Sequence, residues 1–334
     1  MRIAMLGSGS WGTACSLVLA DAGNDVTMWA RRKELCDAIN ANRRNDAYMP
    51  GIELPATVRA THDAADALDG AEIVVFVVPS QMLRENLTVW APLLPPGAIL
   101  ISLMKGIELG TAKRMSEVIQ EVTGFPEDQI AVLSGPNLAR EIAERQPAAS
   151  VIACTEDGVA ERLQKIFHTP YFRPYTNTDV IGTELGGAVK NAIALAVGMA
   201  AGLGLGDNAR ASVITRGLAE TARLGAALGA DVYTFQGLAG LGDLVATCSS
   251  PLSRNRTFGE KLGRGLSVAE IAGATRQVAE GVKSCESIFD LARRAGVEMP
   301  IVEHVSYVVR GQMTPENMLT RLTARAAKPE RHGY

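Results

Sequence analysis

The sequence predicts an α/β fold with a doubly wound, mostly parallel sheet, followed by an all-α C-terminal domain. Short apolar runs alternate with helical patterns as far as about residue 183, which is the alternation that parallel sheets require. Several runs, such as residues 72–80, are almost continuously apolar, as expected of strands covered on both faces. Beyond this point the pattern is almost entirely helical. We therefore expect one domain over residues 1–183 and a helical domain over residues 184–334.

Composition restricts the possible classes of function. The chain has 334 residues, is 47% hydrophobic and carries a net charge of −3, which gives no general attraction to nucleic acid or an anionic membrane. Any anionic ligand must therefore be held by local cations. The five cysteines lack C-x-x-C spacing, which favours a reducing compartment and disfavours a metal site. We recognise no signal peptide and no apolar run of about 20 residues, so we expect a cytoplasmic protein without membrane insertion.

A glycine-rich turn follows the first predicted strand. Residues 2–6 are apolar, the turn is Gly7-Ser8-Gly9-Ser10-Trp11-Gly12, and a helical pattern then precedes a second strand at residues 25–29. In this context the glycines allow a tight turn and close backbone approach, and the helix N-terminus can face a pyrophosphate. The stretch predicts a Rossmann-type dinucleotide-binding domain. Its expected contacts are Gly7, Gly9 and Gly12.

The end of the second strand bears on the choice of cofactor. An NAD site usually has an acidic residue there, bonded to the ribose hydroxyls, whereas this chain has Arg31 and Arg32. Two guanidinium groups suit a 2′-phosphate by charge and by bidentate geometry. The alternative is a pair of solvated arginines that open a helix. We expect NADP to be preferred, with NAD still possible, and a loop containing Tyr48 near the adenosine.

The rest of the first domain continues the alternation. Lys105 follows a strand at the carboxyl end, where ligands of open sheets collect, although an exposed loop lysine is the alternative. Asn137 could equally cap a helix or donate to a ligand. We predict strands at residues 72–80, 98–104, 130–133, 149–154 and 171–175, and helices at residues 81–94, 111–122 and 159–167.

A lysine lies where the alternation stops. Residues 184–191 place Lys190 among small and apolar residues at the expected domain junction, where low access to water can tune an ammonium group for proton transfer. The glycines at 186 and 187 are expected to let the sheet domain and cofactor approach this helix. We predict a buried helix at residues 188–203, a cap at Asp207-Asn208, and an Arg216–Glu220 ion pair on the next helix.

A second polar stretch suggests an anion site. Residues 237–248 contain several glycines and one carboxylate, Asp243, and a helix then opens with Ser253-Arg254-Asn255. An anion at that helix start would meet backbone N–H groups, a hydroxyl, a guanidinium and an amide. A substrate phosphate is the natural ligand. The alternative is a capped surface loop with solvated arginines.

Taken together, these motifs resemble those of the bacterial NAD(P)-dependent sn-glycerol-3-phosphate dehydrogenases, over essentially the whole chain. The resemblance rests on residues 7–14, 184–191, 204–208, 237–244 and 253–255. It implies reversible hydride transfer between dihydroxyacetone phosphate and sn-glycerol 3-phosphate, which supplies the phospholipid backbone. A homodimer is also possible by resemblance.

The resemblance also implies roles by position. Lys190 would be the acid/base, and Lys105 would contact both cofactor and substrate. The implied substrate contacts, in addition to these lysines, are Gly135, Asn137, Asp243, Ser253, Arg254 and Asn255. The implied cofactor contacts are Ser10, Trp11, Arg31, Arg32, Ala139, Arg254, Val278 and Glu280.

Two adjacent positions depart from the family pattern. Family members usually have Ser or Thr where this chain has Asn137, and often an aromatic residue or His where it has Leu138. An amide can still donate a hydrogen bond, but it is longer and differently aimed. We therefore expect an altered contact or altered substrate affinity here.

Two other classes of function fit parts of the sequence. A related dehydrogenase for hydroxy acids or sugar acids would also use a lysine after a Rossmann domain, and Ser253-Arg254-Asn255 does not distinguish a carboxylate from a phosphate by chemistry alone. A non-catalytic NADP-binding sensor would bind cofactor without turnover. That hypothesis gives no reason for Lys190, Lys105 and Asp243 together.

Overall fold

The computed structural model describes residues 1–273, 279–327 and 329–330. Its chain divides into two compact units. The first unit comprises Met1–Met104 and Met115–Val180, and the second comprises Lys105–Arg114 and Ile181–Tyr334. The division after residue 180 is close to the expected one after residue 183. We did not predict that the segment Lys105–Arg114 groups with the second unit.

The first unit contains a sheet of eight strands. The strands are β1 (Arg2–Leu6), β2 (Asp25–Trp29), β3 (Val58–Thr61), β4 (Ile73–Phe76), β5 (Ile99–Ser102), β6 (Ile130–Ser134), β7 (Ala148–Ala153) and β8 (Phe172–Asn177). Their order in the sheet is β3-β2-β1-β4-β5-β6-β7-β8. Neighbouring strands are parallel except for β6 and β7, so the expected mostly parallel, doubly wound sheet is confirmed.

Helices cover both faces of this sheet because successive strand residues point to opposite sides. In β1, Ile3 and Met5 join one hydrophobic cluster while Ala4 and Leu6 join another. The cluster of Ile3 is covered by α1 (Ser10–Asp21), α2 (Lys33–Asn42), α6 (Ala139–Ala143) and α7 (Asp157–Phe167). The cluster of Ala4 is covered by α3 (Ala64–Leu68), α4 (Leu83–Trp90) and α5 (Met115–Thr123).

The strand order creates one point where a ligand can enter. From β1 the chain proceeds to β2 and β3 on one side, and it then returns to place β4 on the other side of β1. The connections that leave the carboxyl ends of β1 and β4 therefore diverge, and open α/β sheets bind ligands in the crevice so formed. The glycine turn after β1 lies at this point.

The second unit is helical, as predicted. Its helices pack around a single cluster of buried apolar side chains. They are α8 (Val180–Gly202), α9 (Asp207–Ala227), α10 (Asp243–Ser249), α11 (Arg254–Gly263), α12 (Val268–Gly273), α13 (Glu280–Arg294), α14 (Pro300–Val309) and α15 (Pro315–Thr323). A 3₁₀ turn at Val232–Gln236 and a π-helical turn at Leu238–Gly242 precede α10.

Helix α8 forms the centre of this unit. A Cβ atom on Gly198 would overlap the carbonyl oxygen of Arg256, and one on Gly259 would overlap that of Leu195, so α8 and α11 meet backbone to backbone. By length and composition α8 could also cross a membrane, contrary to our expectation that no run would qualify. However, 89% of the apolar 18-residue stretch of this helix is buried inside the protein, as in the core helix of a globular domain.

Several local predictions were wrong. Helix α5 begins at Met115 rather than at residue 111, because an antiparallel bridge joins Ile107 to Arg114 and holds that segment in a loop. Strand β3 and helix α3 were not predicted at all. Gly206 is the N-cap residue of α9, so Asp207-Asn208 does not cap it.

The expected Arg216–Glu220 ion pair is also wrong. Both carboxylate oxygens of Glu220 accept hydrogen bonds from the backbone N–H of Ile301, at 3.0 and 3.1 Å. Glu220 thus acts as a hydrogen-bond acceptor at the start of α14, where backbone N–H groups have no acceptor within the helix. Burial raises the pKa of this carboxyl to about 7. Arg216 instead donates to the carbonyl oxygen of Glu330, at 3.5 Å.

Candidate functional site

The turn between β1 and α1 requires glycine at two positions. Gly7 has φ of +138°, and a Cβ atom on it would lie 2.7 Å from the carbonyl oxygen of Val77. A Cβ atom on Gly12 would overlap the carbonyl oxygen of Gly7. These glycines therefore bring the turn, α1 and the end of β4 together at the crevice beside the carboxyl ends of β1 and β4.

The N-terminus of α1 fits a dinucleotide phosphate. Its N-cap residue is Gly9, which has no side chain to accept a hydrogen bond from the helix N–H groups. A Cβ atom at this position would meet nothing within 4 Å. The space above the turn is thus open, and the first helical N–H groups lack a capping side chain. The indole Nε1 of Trp11 is buried without a hydrogen-bond partner. Open backbone donors, the helix dipole and an unpaired indole donor together suit an anionic group.

A loop after α2 holds this turn in place. The amide nitrogen of Asn45 donates to the carbonyl oxygen of Ser8 and to Oγ1 of Thr13, both at 2.8 Å. The hydroxyl of Ser10 donates to the carbonyl oxygen of Tyr48 at 3.0 Å. Asn45 is fully buried, and we did not single it out from the sequence because its contacts are made across more than 30 residues.

The other candidate cofactor residues of the first unit surround this region. Arg31 and Arg32 are exposed just beyond the carboxyl end of β2, and neither side chain has a hydrogen bond or ion pair within the described part of the chain. Ala139 is the first residue of α6 and packs against the same core as α1. Arg140 ties α6 to the loop, because its Nη1 donates to the carbonyl oxygen of Pro50 at 2.6 Å.

Gly135 and Asn137 follow β6 in the first unit. Gly135 has φ of +144°, and a Cβ atom there would lie 3.0 Å from Cα of Ser150. The amide nitrogen of Asn137 donates to Oγ of Ser150 at 3.1 Å, whereas its Oδ1 is buried without a hydrogen-bond partner. The N-cap residue of α6 is Leu138, so Asn137 does not cap the helix. Its role as a ligand contact stays a prediction.

In the second unit, one buried carboxylate joins two lysines. Asp243, which is only 1% exposed, accepts from Nζ of Lys190 at 2.5 Å and from Nζ of Lys105 at 2.6 Å. Each lysine uses a different carboxylate oxygen. The cluster contains two positive charges and one negative charge, so it carries a net positive charge when both lysines are protonated.

Lys190 has a defined hydrogen-bond geometry. Its ammonium group donates to Asp243 and, at 2.6 Å, to Oγ1 of Thr247. The Thr247 hydroxyl in turn donates to Oδ1 of Asp243 at 3.2 Å. An ammonium group has three hydrogens, so one remains for a further acceptor. Thr247 was missed in the sequence, although its position four residues after Asp243 puts both on one helix face.

Close backbone packing makes this contact possible. A Cβ atom on Gly186 would overlap the carbonyl oxygen of Ala239, in the π-helical turn that leads into α10. Glycine at this position lets the turn lie against α8, so that Asp243 reaches Lys190. Gly186 thus serves packing within the second unit, a function that differs from our expectation of access for the sheet domain and cofactor.

Lys105 belongs to the same cluster and is held by its loop. Burial lowers the pKa of its ammonium group to about 8; the charge of Asp243 opposes this shift, and the nearby Lys190 charge contributes to it. Its carbonyl oxygen accepts from the amide of Asn191 at 3.3 Å. The other end of the loop is fixed by a buried ion pair of 2.7 Å between Arg114 and Glu184. The alternative of an exposed loop lysine is therefore wrong.

The start of α11 is connected to the lysine helix. The amide nitrogen of Asn255 donates to Oδ1 of Asn191 at 2.9 Å, and its own oxygen accepts from the N–H of Gly281 at 2.9 Å. Ser253 caps α11, because its hydroxyl accepts from the N–H of Arg256 at 3.2 Å. The side chain of Arg254 is exposed and makes no hydrogen bond or ion pair with any described residue. The capped helix start is therefore real, and Arg254 remains available to an anion.

Two candidate cofactor residues, Val278 and Glu280, precede Gly281 in the sequence. Glu280 is the first residue of α13 and is partly buried. Val278 lies outside the described residues. Among the residues that the structure describes, no group of three or more His, Cys, Asp or Glu side chains could hold a metal ion.

The chain is similar to proteins of one family over nearly its whole length. Residues 2–160 match the model of the NAD-dependent glycerol-3-phosphate dehydrogenase N-terminus, and residues 179–320 match that of the C-terminus. A protein of Streptomyces avermitilis named glycerol-3-phosphate dehydrogenase [NAD(P)+] is 63% identical over 99% of this chain and 98% of its own. One of Mycobacterium tuberculosis is 57% identical over 98% of both chains.

Solved structures are also similar to this chain, to different degrees. The crystal structure of glycerol-3-phosphate dehydrogenase from Coxiella burnetii has a TM-score of 0.92 and 38% identity, covering 97% of this chain and 98% of that one. A D-mandelate dehydrogenase with NADH and anilino(oxo)acetate has a TM-score of 0.63 at 14% identity, covering 96% and 99% of the two chains. At that identity the likeness extends to the fold alone.

The lowered pKa of Lys105 predicts how stability changes with pH. The folded protein should release this proton near pH 8, whereas the unfolded chain keeps it up to an ordinary pKa of 10.5. Between these values the unfolded state binds more protons, so stability should rise with pH. We expect the free energy of unfolding of the wild type, minus that of Lys105→Met, to increase from pH 8 to 10.5.

The measurement is denaturant unfolding at several pH values. Lys283→Met, which changes an exposed lysine on α13, serves as the control and should show no such trend. A difference between wild type and Lys105→Met that stays flat or falls over this range would contradict the assignment of a buried, desolvated Lys105.

Proposed function

The chain belongs to the NAD-dependent glycerol-3-phosphate dehydrogenase family, and we propose that Lys190 is the acid/base of its reaction. It is an NAD(P)-linked oxidoreductase that interconverts dihydroxyacetone phosphate and glycerol 3-phosphate. The observation that carries the proposal is the geometry of the Lys190 ammonium group. Asp243 and Thr247 hold two of its hydrogens and leave the third for a substrate oxygen.

The proposed step is a concerted or sequential reduction of a ketone. When bound, the nicotinamide supplies the hydride to the carbonyl carbon. Lys190 donates a proton from Nζ to the carbonyl oxygen as negative charge develops there, which gives the secondary alcohol. In the reverse direction, neutral Lys190 takes the hydroxyl proton. Both directions therefore use Nζ of Lys190, and each direction transfers one hydride and one proton.

We assign Lys105 an electrostatic role and a contact with the substrate. Its ammonium group shares Asp243 with Lys190, and therefore places a second positive charge close to the proton donor. A positive charge at a developing alkoxide stabilises the transition state more than the ground state. Asp243 holds both lysines in position. It is thus proposed as a residue of the substrate site.

We assign the substrate phosphate to the start of α11. The open guanidinium of Arg254, the helix N-terminus and the cap Ser253 together suit a dianion. The hydrogen bond between Asn255 and Asn191 connects this segment to the residue that follows Lys190, so the two parts of the substrate site lie on linked elements. Gly135 and Asn137 are further candidate contacts, the latter through its unpaired Oδ1.

On the cofactor side, the proposal has two levels of support. Gly7, Gly9, Ser10, Trp11 and Gly12 are supported by the open, glycine-dependent turn, and Arg31 and Arg32 by their exposed guanidinium groups, which favour NADP over NAD. Tyr48 and Ala139 flank the same turn. The proposed cofactor contacts Lys105, Arg254, Val278 and Glu280 rest on the family resemblance alone.

Several wider assignments follow from the resemblance. We propose a dinucleotide-binding domain over residues 1–183 and a substrate-binding domain over residues 184–334, close to the two structural units. We further propose a cytoplasmic enzyme without membrane insertion that supplies glycerol 3-phosphate for phospholipid synthesis. A homodimer is compatible with this assignment.

The rival functions receive less support. The hydroxy-acid dehydrogenase hypothesis would account for the likeness to D-mandelate dehydrogenase, but that likeness is one of fold, at 14% identity. A non-catalytic sensor would leave the buried Lys105–Asp243–Lys190 cluster without a purpose. Burying three charges is costly unless function or pairing compensates.

Replacement of Lys190 tests the acid/base assignment. Lys190→Ala should lower kcat for dihydroxyacetone phosphate about 100-fold or more, because the proton donor is lost, while NADPH binding stays largely intact. The measurements are steady-state oxidation of NADPH and a direct cofactor titration. Lys283→Ala, at an exposed site of the same unit, is the control. Turnover near the wild-type value in Lys190→Ala would remove this lysine from the mechanism.

Replacement of Arg254 tests the phosphate site. Arg254→Ala should lower kcat/KM for dihydroxyacetone phosphate by about 10- to 100-fold, because a charge-assisted hydrogen bond to phosphate is removed. With dihydroxyacetone, which has no phosphate, the same variant should match the wild type when both are measured at saturating NADPH, where the proposed contact of Arg254 with the cofactor no longer limits the rate. Arg264→Ala, just beyond the other end of α11, is the matched control. An equal loss with both substrates, or no loss with either, would argue against this site.

A further inference from the structure

A groove of about 270 Å³ in the first unit lies beside the expected position of the cofactor ribose. One wall is the exposed face of α2, and the other is the loop that follows the helix. Arg32, Glu34, Arg44 and Asp46 are its charged lining residues. Arg32 is the N-cap residue of α2, immediately after the carboxyl end of β2. That strand end is where Rossmann-type sites meet the ribose 2′ position.

The loop is fixed at the dinucleotide turn. Asn45 and Tyr48 make the hydrogen bonds to Ser8, Thr13 and Ser10 described above. Arg44 directly precedes Asn45, so its backbone is held beside the turn rather than on a free segment. The same short loop thus borders both the pyrophosphate position and the groove that contains Arg32.

Some of the charged side chains near the groove have hydrogen-bond or ion-pair partners, and others have none among the described residues. Arg43 forms an ion pair with Glu53, and Lys33 forms one with Asp37. Asp46 accepts a hydrogen bond from the N–H of Gly51 at 3.0 Å. By contrast, Arg44 and Arg32 have no hydrogen bond or ion pair from their side chains to any described residue.

Two carboxylates also line the groove, those of Glu34 and Asp46, and both disfavour an anion there. Arg32 alone would leave the groove with a net negative charge, whereas Arg32 and Arg44 together balance the two carboxylates. Two guanidinium groups can also bind different oxygens of one phosphate. A phosphate beside Arg32 is therefore held better when the guanidinium of Arg44 contributes as well.

We propose that Arg44 acts with Arg32 to bind the 2′-phosphate of NADP and is a determinant of cofactor specificity. This inference rests on the proposed preference for NADP. It adds a residue outside the glycine turn and the Arg31-Arg32 pair. Its position on the loop also means that the loop anchored by Asn45 contributes to specificity and not only to the shape of the turn.

The test uses two small probes that differ only in the 2′-phosphate. Equilibrium titrations of 2′,5′-ADP and of 5′-AMP give the affinity ratio that the 2′-phosphate contributes. In Arg44→Gln we expect the affinity for 2′,5′-ADP to fall about tenfold, with that for 5′-AMP unchanged, because one charge-assisted contact is lost. Arg43→Gln is the matched control, and it should change neither affinity by more than about twofold, because this neighbour is already paired with Glu53.

The outcomes separate this inference from the proposed function. If Arg32→Gln loses the 2′-phosphate advantage while Arg44→Gln keeps it, the role of Arg44 is wrong and the NADP site stands. An equal loss in Arg43→Gln and Arg44→Gln would assign the effect to the loop as a whole and overturn a specific contact. If the wild type itself binds both probes equally, the preference for NADP fails together with the inference. Turnover of dihydroxyacetone phosphate with NADH would still test the enzyme assignment independently.

Discussion

The chemistry that we propose for the second unit depends on the carboxylate of Asp243 and the two ammonium groups that it holds. Removal of one partner from a buried ion pair typically costs about 3–5 kcal/mol, because a buried charge is left uncompensated. Asp243 has two such partners and almost no exposure, so the positions of Lys105 and Lys190 are tightly coupled. The cluster as a whole is positive when both lysines are protonated. It is therefore suited to an oxygen that becomes negative during reaction.

Much of the second unit can be understood as support for this cluster. Glycine at position 186 lets the turn before α10 reach α8, and the loop of Lys105 is tied to Asn191 and Glu184. Asn191 also bonds to Asn255, so the candidate phosphate site is attached to the same framework. A displacement of any of these elements would change the lysine positions as well. The first unit provides a separate, glycine-dependent turn, which we propose as the site of the dinucleotide.

The sequence predicted the features that depend on local patterns. The sheet, the glycine turn and α8 were predictable because periodicity, glycine spacing and continuous apolar runs are properties of short segments. Features that depend on distant contacts were missed. Asn45 reaches the turn across more than 30 residues, and Glu220 was assigned to its helical neighbour Arg216 although it bonds to Ile301, 81 residues away. Lys105 and Lys190 were both singled out, but their meeting at Asp243 was visible only in three dimensions.

The account is tested most directly by the turnover of an Asp243→Asn variant, with folding checked by thermal unfolding and NADPH affinity measured by titration. Asparagine keeps the shape of the side chain but removes the charge that holds the two lysines. We predict a loss of kcat for dihydroxyacetone phosphate of about 100-fold or more, in a folded protein that still binds NADPH. A folded Asp243→Asn enzyme with nearly wild-type turnover would contradict the central role of this carboxylate.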